Sequence, residues 1–440
     1  MFHVTARAWL IAYLILVTLP LWLMMIRPTP PARPFLVEAS LALGFVGLIQ
    51  MALQFALIAR FRGLTAPLGI DTILRHHRRI AAVALLFLIA HPVMLAIHEP
   101  SLWAAFDPFG GSWANRTGAW ALYGLILLAL LSVGRKTLRL SYEAWRVSHA
   151  VLGIATIVLA HVHLNLAGRY SDVLWKELVL IAITLLAVSG FVWLRLIRPA
   201  LAKRRPYRVA RMQKEAGDVW TVDLEPDGHA GMRFDAGQFA YLTLGPNPYT
   251  LDEHPFSFAS SAERAQRDGS VGFAIKELGD FTRRLGNVPI GTVAHLDGPH
   301  GSFTPDRFPA PGYVLISGGI GLAPLLSMIR TLRDRGDPRP VLLIHGEKRL
   351  EDVPYLGELR ALEREMPLDL VLSLEEPPEG WDGERGFIDE AMLRRLWPDE
   401  RFRRTVFVCG PNPMISAVES ALRRIGVPDE DVHAERFDLV

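Results

Sequence analysis

The hydrophobic pattern divides the chain into two unlike halves. Across the first 200 residues, apolar stretches of near-constant length alternate with short polar links. They fall at about 8–26, 36–58, 78–97, 117–134, 148–166 and 176–197. Each is roughly 20 residues, the length an α-helix needs to cross the hydrocarbon core. The pattern predicts six transmembrane helices. The first stretch has the position of a secretory leader, but its apolar core is too long and no small-residue cleavage site follows. A retained helix is the expectation there. From about residue 205 the pattern becomes short alternating strands and turns, as in "YRVARMQ", "VWTVDLEP" and "GQFAYLTLG". The last third alternates buried strands with amphipathic helices, the signature of an α/β domain.

Charge adds orientation. Arg60, Arg62, Arg75, Arg78 and Arg79 lie between the second and third stretches. Arg135, Lys136, Arg139 and Arg146 lie between the fourth and fifth, and Arg195, Arg198, Lys203, Arg204, Arg205 and Arg208 at or just after the sixth. The opposite links carry few basic residues. By the positive-inside rule both termini and the whole second half face the cytoplasm. A cell (inner) membrane, crossed several times, is the expected location. Mean hydropathy is +0.23 and net charge only +2, which gives no polyanion footprint and excludes a nucleic-acid partner. Membrane lipid is the expected surround. The single cysteine, Cys409, excludes an internal disulfide framework.

Histidines interrupt the apolar runs, where an imidazole is costly without a partner. His77 and His91 lie in the third stretch "LRHHRRIAAVALLFLIAHP", fourteen residues apart. At about 100° per residue that spacing returns within about 40° of one face, with a rise of about 21 Å. The fifth stretch, "YEAWRVSHAVLGIATIVLAHVHLNLAG", places His149 at one end and His161 and His163 at the other. Two helices thus each offer one inner and one outer imidazole, which suits two haem groups stacked across the bilayer. His163 keeps the fourteen-residue spacing from His149; His161 is rotated by about 120°.

In the second half, "EHPFSFASS" ends a strand in His254, Pro255, Phe256 and Ser257, suited to an aromatic ring system. "IKELGDFTRRL" places Gly279 and Thr282 at a helix start, suited to a pyrophosphate. In "YVLISGGIGLAPLLSMI", Gly318, Gly319, Ile320, Gly321 and Pro324 form a strand–turn–helix junction that can cradle a phosphate. Lys348 and Arg349 end the next strand and suit a ribose phosphate, hence NADPH. Cys409 and Gly410 end another strand, with Pro411 and then Met414 following, and Phe437 near the terminus can lie over a flat ring.

"HPFSFAS", "GGIGLAP", "VFVCGPNPM" and the terminal "ERF" occur in the order and spacing of ferredoxin-reductase-type flavin and nicotinamide modules. With "LRHHRRIA…AHP" and "YEAWRVSH…AH" ahead of them, the whole chain resembles the ferric reductase and NADPH oxidase superfamily, as a short bacterial member. The resemblance implies a six-helix haem-binding bundle (1–200), a β-barrel FAD domain (205–308) and an α/β NAD(P) domain (311–440). It implies two b-type haems, FAD, and NADPH or NADH as donor. His77 and His149 would hold the inner haem; His91 and His161 the outer, with His163 as the alternative. His254, Pro255, Phe256, Ser257 and Thr282 would hold FAD. Gly318, Gly319, Ile320, Gly321, Pro324, Lys348 and Gly410 would line the dinucleotide. Cys409 would lie near the nicotinamide, and Phe437 would shield the flavin. The implied activity is electron transfer from cytoplasmic NAD(P)H to an acceptor across the membrane. O₂ is favoured because it needs no dedicated site. A ferric chelate is the alternative, and a non-catalytic haem-bearing anchor a further one, disfavoured by the intact nucleotide motifs.

Overall fold

A computed structural model describes residues 6–26, 33–60, 70–168, 170, 173–397 and 404–436. The chain divides into two compact units at Ile197/Arg198.

The first unit is built from α1 (Ala6–Met25), α2 (Phe35–Ile58), α3 (Ile70–His98), α4 (Trp113–Val133), α5 (Tyr142–Ala167) and α6 (Leu174–Val192). All six are long and apolar enough to cross a membrane. Leu86, Leu130 and Leu186 on α3, α4 and α6 are each more than 60% exposed, a surface tolerable in lipid and not in water. α2 is the most enclosed span. Ser112 and Ser141 cap α4 and α5 by accepting from the amides of Asn115 and Ala144, and Gly168 ends α5 in the left-handed conformation. α3 begins at Ile70, earlier than its apolar run, because the basic stretch Arg75–Arg79 continues the helix. His77 is therefore two turns inside α3 rather than at its start. Pro92, beside His91, sits inside α3 and removes one backbone donor there.

The second unit opens with a short helix, α7 (Arg198–Lys203), tied to the flavin-type sheet by the Arg198–Asp297 ion pair of 2.7 Å. That sheet contains β1 (Tyr207–Lys214), β2 (Val219–Pro226), β3 (Phe239–Leu244), β4 (His254–Ser257), β5 (Val271–Lys276) and β6 (Val293–His300). Its order is β4-β3-β6-β1-β2-β5, every pair antiparallel. An isolated bridge between Phe258 and Phe273 links the chain just after β4, on one edge, to β5 on the other. α8 (Ala262–Asp268) and the single turn α9 (Asp280–Arg283) lie between strands.

A parallel sheet follows, in the order β10-β9-β8-β7-β11-β12. Its elements are β7 (Tyr313–Gly318), α10 (Leu322–Asp334), β8 (Val341–Glu347), α11 (Leu356–Glu365), β9 (Leu368–Leu374), β10 (Glu384–Arg385), α12 (Glu390–Leu396), β11 (Thr405–Gly410), α13 (Asn412–Arg424) and β12 (Val432–Arg436). β7, β8 and β11 are almost continuously apolar and buried, as strands covered on both faces must be. From β7 the chain winds out through β8 and β9, then returns to β11 on the other side. The switch point lies between β7 and β11, where such sheets bind ligands.

Candidate functional site

In the first unit, the four histidines of α3 and α5 form two facing pairs. The rings of His77 and His149 have centroids 6.2 Å apart, tilted by 54°. Those of His91 and His163 are 6.4 Å apart, at 67°. The fourteen-residue period on both helices makes the pairs repeat. The ring that faces His91 is thus His163, not His161, which the family resemblance had favoured. His161 is rotated away by two residues of helix, and both its ring nitrogens are buried without a hydrogen-bond partner.

Three of the four rings are held by their Nδ1 atoms. His91 Nδ1 donates to the Ser40 carbonyl of α2 at 3.0 Å, and Ser40 Oγ donates to the His91 carbonyl at 2.7 Å. His163 Nδ1 donates to the Ala114 carbonyl of α4 at 2.8 Å. Ser132 Oγ spends its one proton on the Leu128 carbonyl at 2.7 Å, so toward His149 Nδ1, 3.0 Å away, it accepts. Trp145 Nε1 donates to the same hydroxyl at 3.3 Å. Each arrangement fixes the proton on Nδ1 and leaves the Nε2 lone pair for a ligand. His77 Nδ1 is buried with no hydrogen-bond partner. A Cβ at Gly118 would stand 2.8 Å from His163 Nδ1, and one at Gly44 3.2 Å from His91 Cγ. These two positions make room for the outer rings. The sequence reading missed Ser40, Gly44, Gly118 and Ser132. The available signal was small or hydroxyl residues on neighbouring helices at histidine depth.

Among the described residues, no group of three or more His, Cys, Asp or Glu side chains is placed to hold a metal ion. Facing pairs of imidazoles are a different donor set: they suit a metal whose remaining positions a macrocycle fills.

In the second unit, β4 lies along β3, with Ser257 opposite Phe239 and His254 opposite Leu242. Ser257 Oγ is buried with no hydrogen-bond partner, the cost of which a bound polar ring would remove. His254 Nε2 lies 2.9 Å from Asp252 Oδ1, and Arg284 pairs with the other Asp252 oxygen at 2.9 Å. Phe281 stacks near both His254 (4.3 Å) and Phe256 (5.9 Å). Pro255 pairs with Tyr241 within the strand. Thr282 Oγ1 accepts from the amides of Leu278 and Gly279 and donates to the Gly279 carbonyl. Its hydroxyl is thus committed to building the turn.

The glycine junction follows β7. Gly319 has φ +53°, and a Cβ there would meet only Glu347 Oε2 at 3.8 Å and Lys276 Nζ at 4.0 Å. Gly319 is the open position over which a phosphate can pass. Gly321 serves packing instead: its Cβ would lie 2.1 Å from the Cys409 carbonyl. Gly318 and Gly410 both pack against Met414. Ile320 is half-buried against Ala323, and Pro324 occupies the first turn of α10. Cys409 is fully buried between Ser317 on β7 and Glu435 on β12. Burial, and then the Glu435 charge, push its thiol well above the usual range. Lys348 and Arg349 are exposed but paired: Lys348 with Glu376 at 3.2 Å, Arg349 with Glu351 at 2.7 Å and Asp352 at 3.0 Å. Phe437 lies outside the described residues.

Three further groups escaped the sequence reading. His345 is fully buried, with Nδ1 2.8 Å from Ser317 Oγ, and burial brings it down to about 4, with Lys276 adding to the effect. Burial raises the Glu347 carboxyl above its ordinary value. Glu435 stands beside the flavin-type strand: a Cβ on Gly301 would be 3.3 Å from the Phe239 ring and 3.5 Å from Glu435 Oε1. A separate cleft of about 700 Å³, with Arg211, Asp223, Arg264, Arg330 and Tyr355 in its wall, includes neither the glycine junction nor β4.

Three family profiles match the chain in succession: a ferric reductase like transmembrane component over residues 43–160, an FAD-binding domain over 207–302, and an oxidoreductase NAD-binding domain over 315–420. Helices and matches define a multi-pass membrane component followed by FAD- and NAD-binding domains of oxidoreductase type. Their order matches a ferric reductase/NADPH oxidase-like architecture. The reductase component of propane 2-monooxygenase from Rhodococcus jostii (strain RHA1) is 32% identical over 239 residues, 52% of this chain and 62% of that protein. The glycine betaine monooxygenase reductase subunit of Chromohalobacter salexigens is 31% identical over 225 residues, 50% of this chain and 55% of that protein. The match thus spans between about half and two thirds of each relative's length. The solved structure of the cytochrome P450 reductase GcoB from Amycolatopsis superposes with a TM-score of 0.46 at 25% identity, over 53% of this chain and 69% of that one.

Proposed function

We propose that this protein moves electrons from cytoplasmic NAD(P)H, through FAD and two b-type haems, to O₂ on the far side of a bacterial inner membrane, giving superoxide. The observation that carries this reading is the pair of imidazole separations, 6.2 and 6.4 Å. A metal–imidazole nitrogen bond is about 2.0–2.1 Å, and that nitrogen lies about 1.1 Å from its ring centre. Two axial imidazoles on one iron therefore have centroids about 6.3 Å apart. Both separations match that spacing, which supports the reading.

When bound, FAD would supply two-electron acceptance with one-electron release, and haem would supply one-electron transfer. The chain supplies the holding and the spacing. His77 and His149 would hold the inner haem, His91 and His163 the outer. Ser40, Ser132 and the Ala114 carbonyl fix which ring nitrogen faces the iron. Ser257 Oγ, in what we read as a closed β-barrel, offers a donor to the flavin ring. Gly319 lets the dinucleotide pyrophosphate approach the amino end of α10. Cys409, held neutral, presents no charge beside the nicotinamide. The basic links keep both catalytic domains on the cytoplasmic side.

Purified protein in detergent tests the reading. Dithionite-reduced-minus-oxidised spectra should show b-type haem, and donor addition should yield superoxide. Donor-driven reduction of ferric chelates, with no superoxide, would instead select the ferric-chelate reductase.

A further inference from the structure

The carboxyl ends of β8 and β9 carry an unusual charge balance. Glu347 ends β8, and Glu351 and Asp352 follow four and five residues later. Glu375 and Glu376 follow β9. Their backbones lie against β8: Glu375 N donates to the Glu347 carbonyl at 3.2 Å and Glu376 N to the Lys348 carbonyl at 2.8 Å. The rim thus gathers five carboxylates around Lys348 and Arg349, with Lys276 facing Glu347 and Arg385 at the end of β10 as further cations. Lys348 and Arg349 are already engaged by rim carboxylates.

The direction of a dinucleotide across this edge is set by the sheet. Its pyrophosphate belongs at the Gly319–Gly321 turn after β7. Its nicotinamide must reach the flavin strand, and the β12 side of the sheet adjoins that strand, through Glu435, Gly301 and Phe239. The adenosine half must then run the other way, over β8 and β9. Glu347 Oε2 already stands 3.8 Å from the Cβ position of Gly319, at the start of that path. Phe387, 74% exposed just beyond β10, offers a free aromatic face to an adenine on the same side.

We propose that this acidic rim makes the protein select NADH over NADPH. A carboxylate at the end of a strand accepts a hydrogen bond from the ribose 2′-hydroxyl of NADH. The 2′-phosphate of NADPH, carrying about −1.5 to −2 charges, meets net negative charge there instead. Lys348 is neutralised by Glu376 and is not a phosphate reader, the opposite of what its position in the sequence suggests.

The inference rests on the donor site of the proposed function, and the experiment separates the two. Full-length protein reconstituted with FAD is mixed anaerobically with limiting NADH or NADPH, and flavin bleaching is followed by stopped flow. NADH should bleach about tenfold faster or more. Glu375→Gln with Glu376→Gln should narrow the gap by about threefold or more, and Glu376→Arg should narrow it further. Lys348→Ala should leave NADPH slow. Equal rates in the wild type, faster NADPH, or a selective loss of NADPH use in Lys348→Ala would each overturn the rim assignment. Bleaching by neither nucleotide would overturn the donor reading itself. Rapid NADH bleaching in a protein without haem would leave the rim intact while removing the transmembrane reading.

Discussion

His91 and His163 face each other 6.4 Å apart across α3 and α5, and each is anchored through Nδ1 to the backbone of a neighbouring helix. His161 lies two residues from His163 on α5 but outside that pair. His163→Ala should therefore lose one haem of two, while His161→Ala keeps both. Haemochrome assay per polypeptide decides between them, and the opposite pattern would return the outer ligand to His161.

The anchors matter as well as the ligands. Gly118→Ala places a methyl 2.8 Å from His163 Nδ1 and displaces that ring. Ser132→Ala removes the acceptor that orients His149. Losses of such supporting groups cost about 10–100-fold in metal affinity. Haem retention during detergent dialysis should drop accordingly, from the outer site for Gly118→Ala and from the inner for Ser132→Ala. Far-ultraviolet circular dichroism should stay helical in both.

His345 gives the second unit an acid limit. Its folded-state value, about 4, lies below the ordinary 6.5. A depressed value means the stabilisation is complete above about pH 6.5 and is lost as pH falls toward 4. At pH 5 the expected loss is about 2 kcal/mol relative to neutral pH. Thermal melting monitored by FAD release should fall between pH 7 and pH 5, and His345→Asn should flatten that slope. An unchanged slope would remove His345 from the account.

Cys409 should resist alkylation. Its thiol is fully buried and pushed upward by burial, so iodoacetamide at pH 8 should label it only after denaturation. Rapid labelling of the native protein, read by mass spectrometry, would show that β11 opens. A folded value above the unfolded one also means this thiol's contribution to stability fades as pH rises past about 8.5.

Much of this was legible in the sequence because long apolar runs and helical periods are local signals. The six spans correspond to six helices, and the fourteen-residue spacing of His77 with His91 already implied a match with His149 and His163. The motif context "AHV" pointed to His161, while the ring that faces His91 is that of His163. What stayed hidden depends on long-range neighbours. Ser40 reaches His91 across 51 positions, and Ser132 reaches His149 across 17. Lys348 reads as a phosphate ligand until the fold brings Glu376 beside it. Thr282 reads as a pyrophosphate contact until its hydroxyl closes its own turn.

The central claim is two bis-imidazole haems per chain, and haem stoichiometry tests it most directly. Wild-type protein expressed with ample haem supply should carry two b-type haems per polypeptide, with His77→Ala and His163→Ala each retaining one. A wild type without haem, or variants that both keep two, would contradict the account.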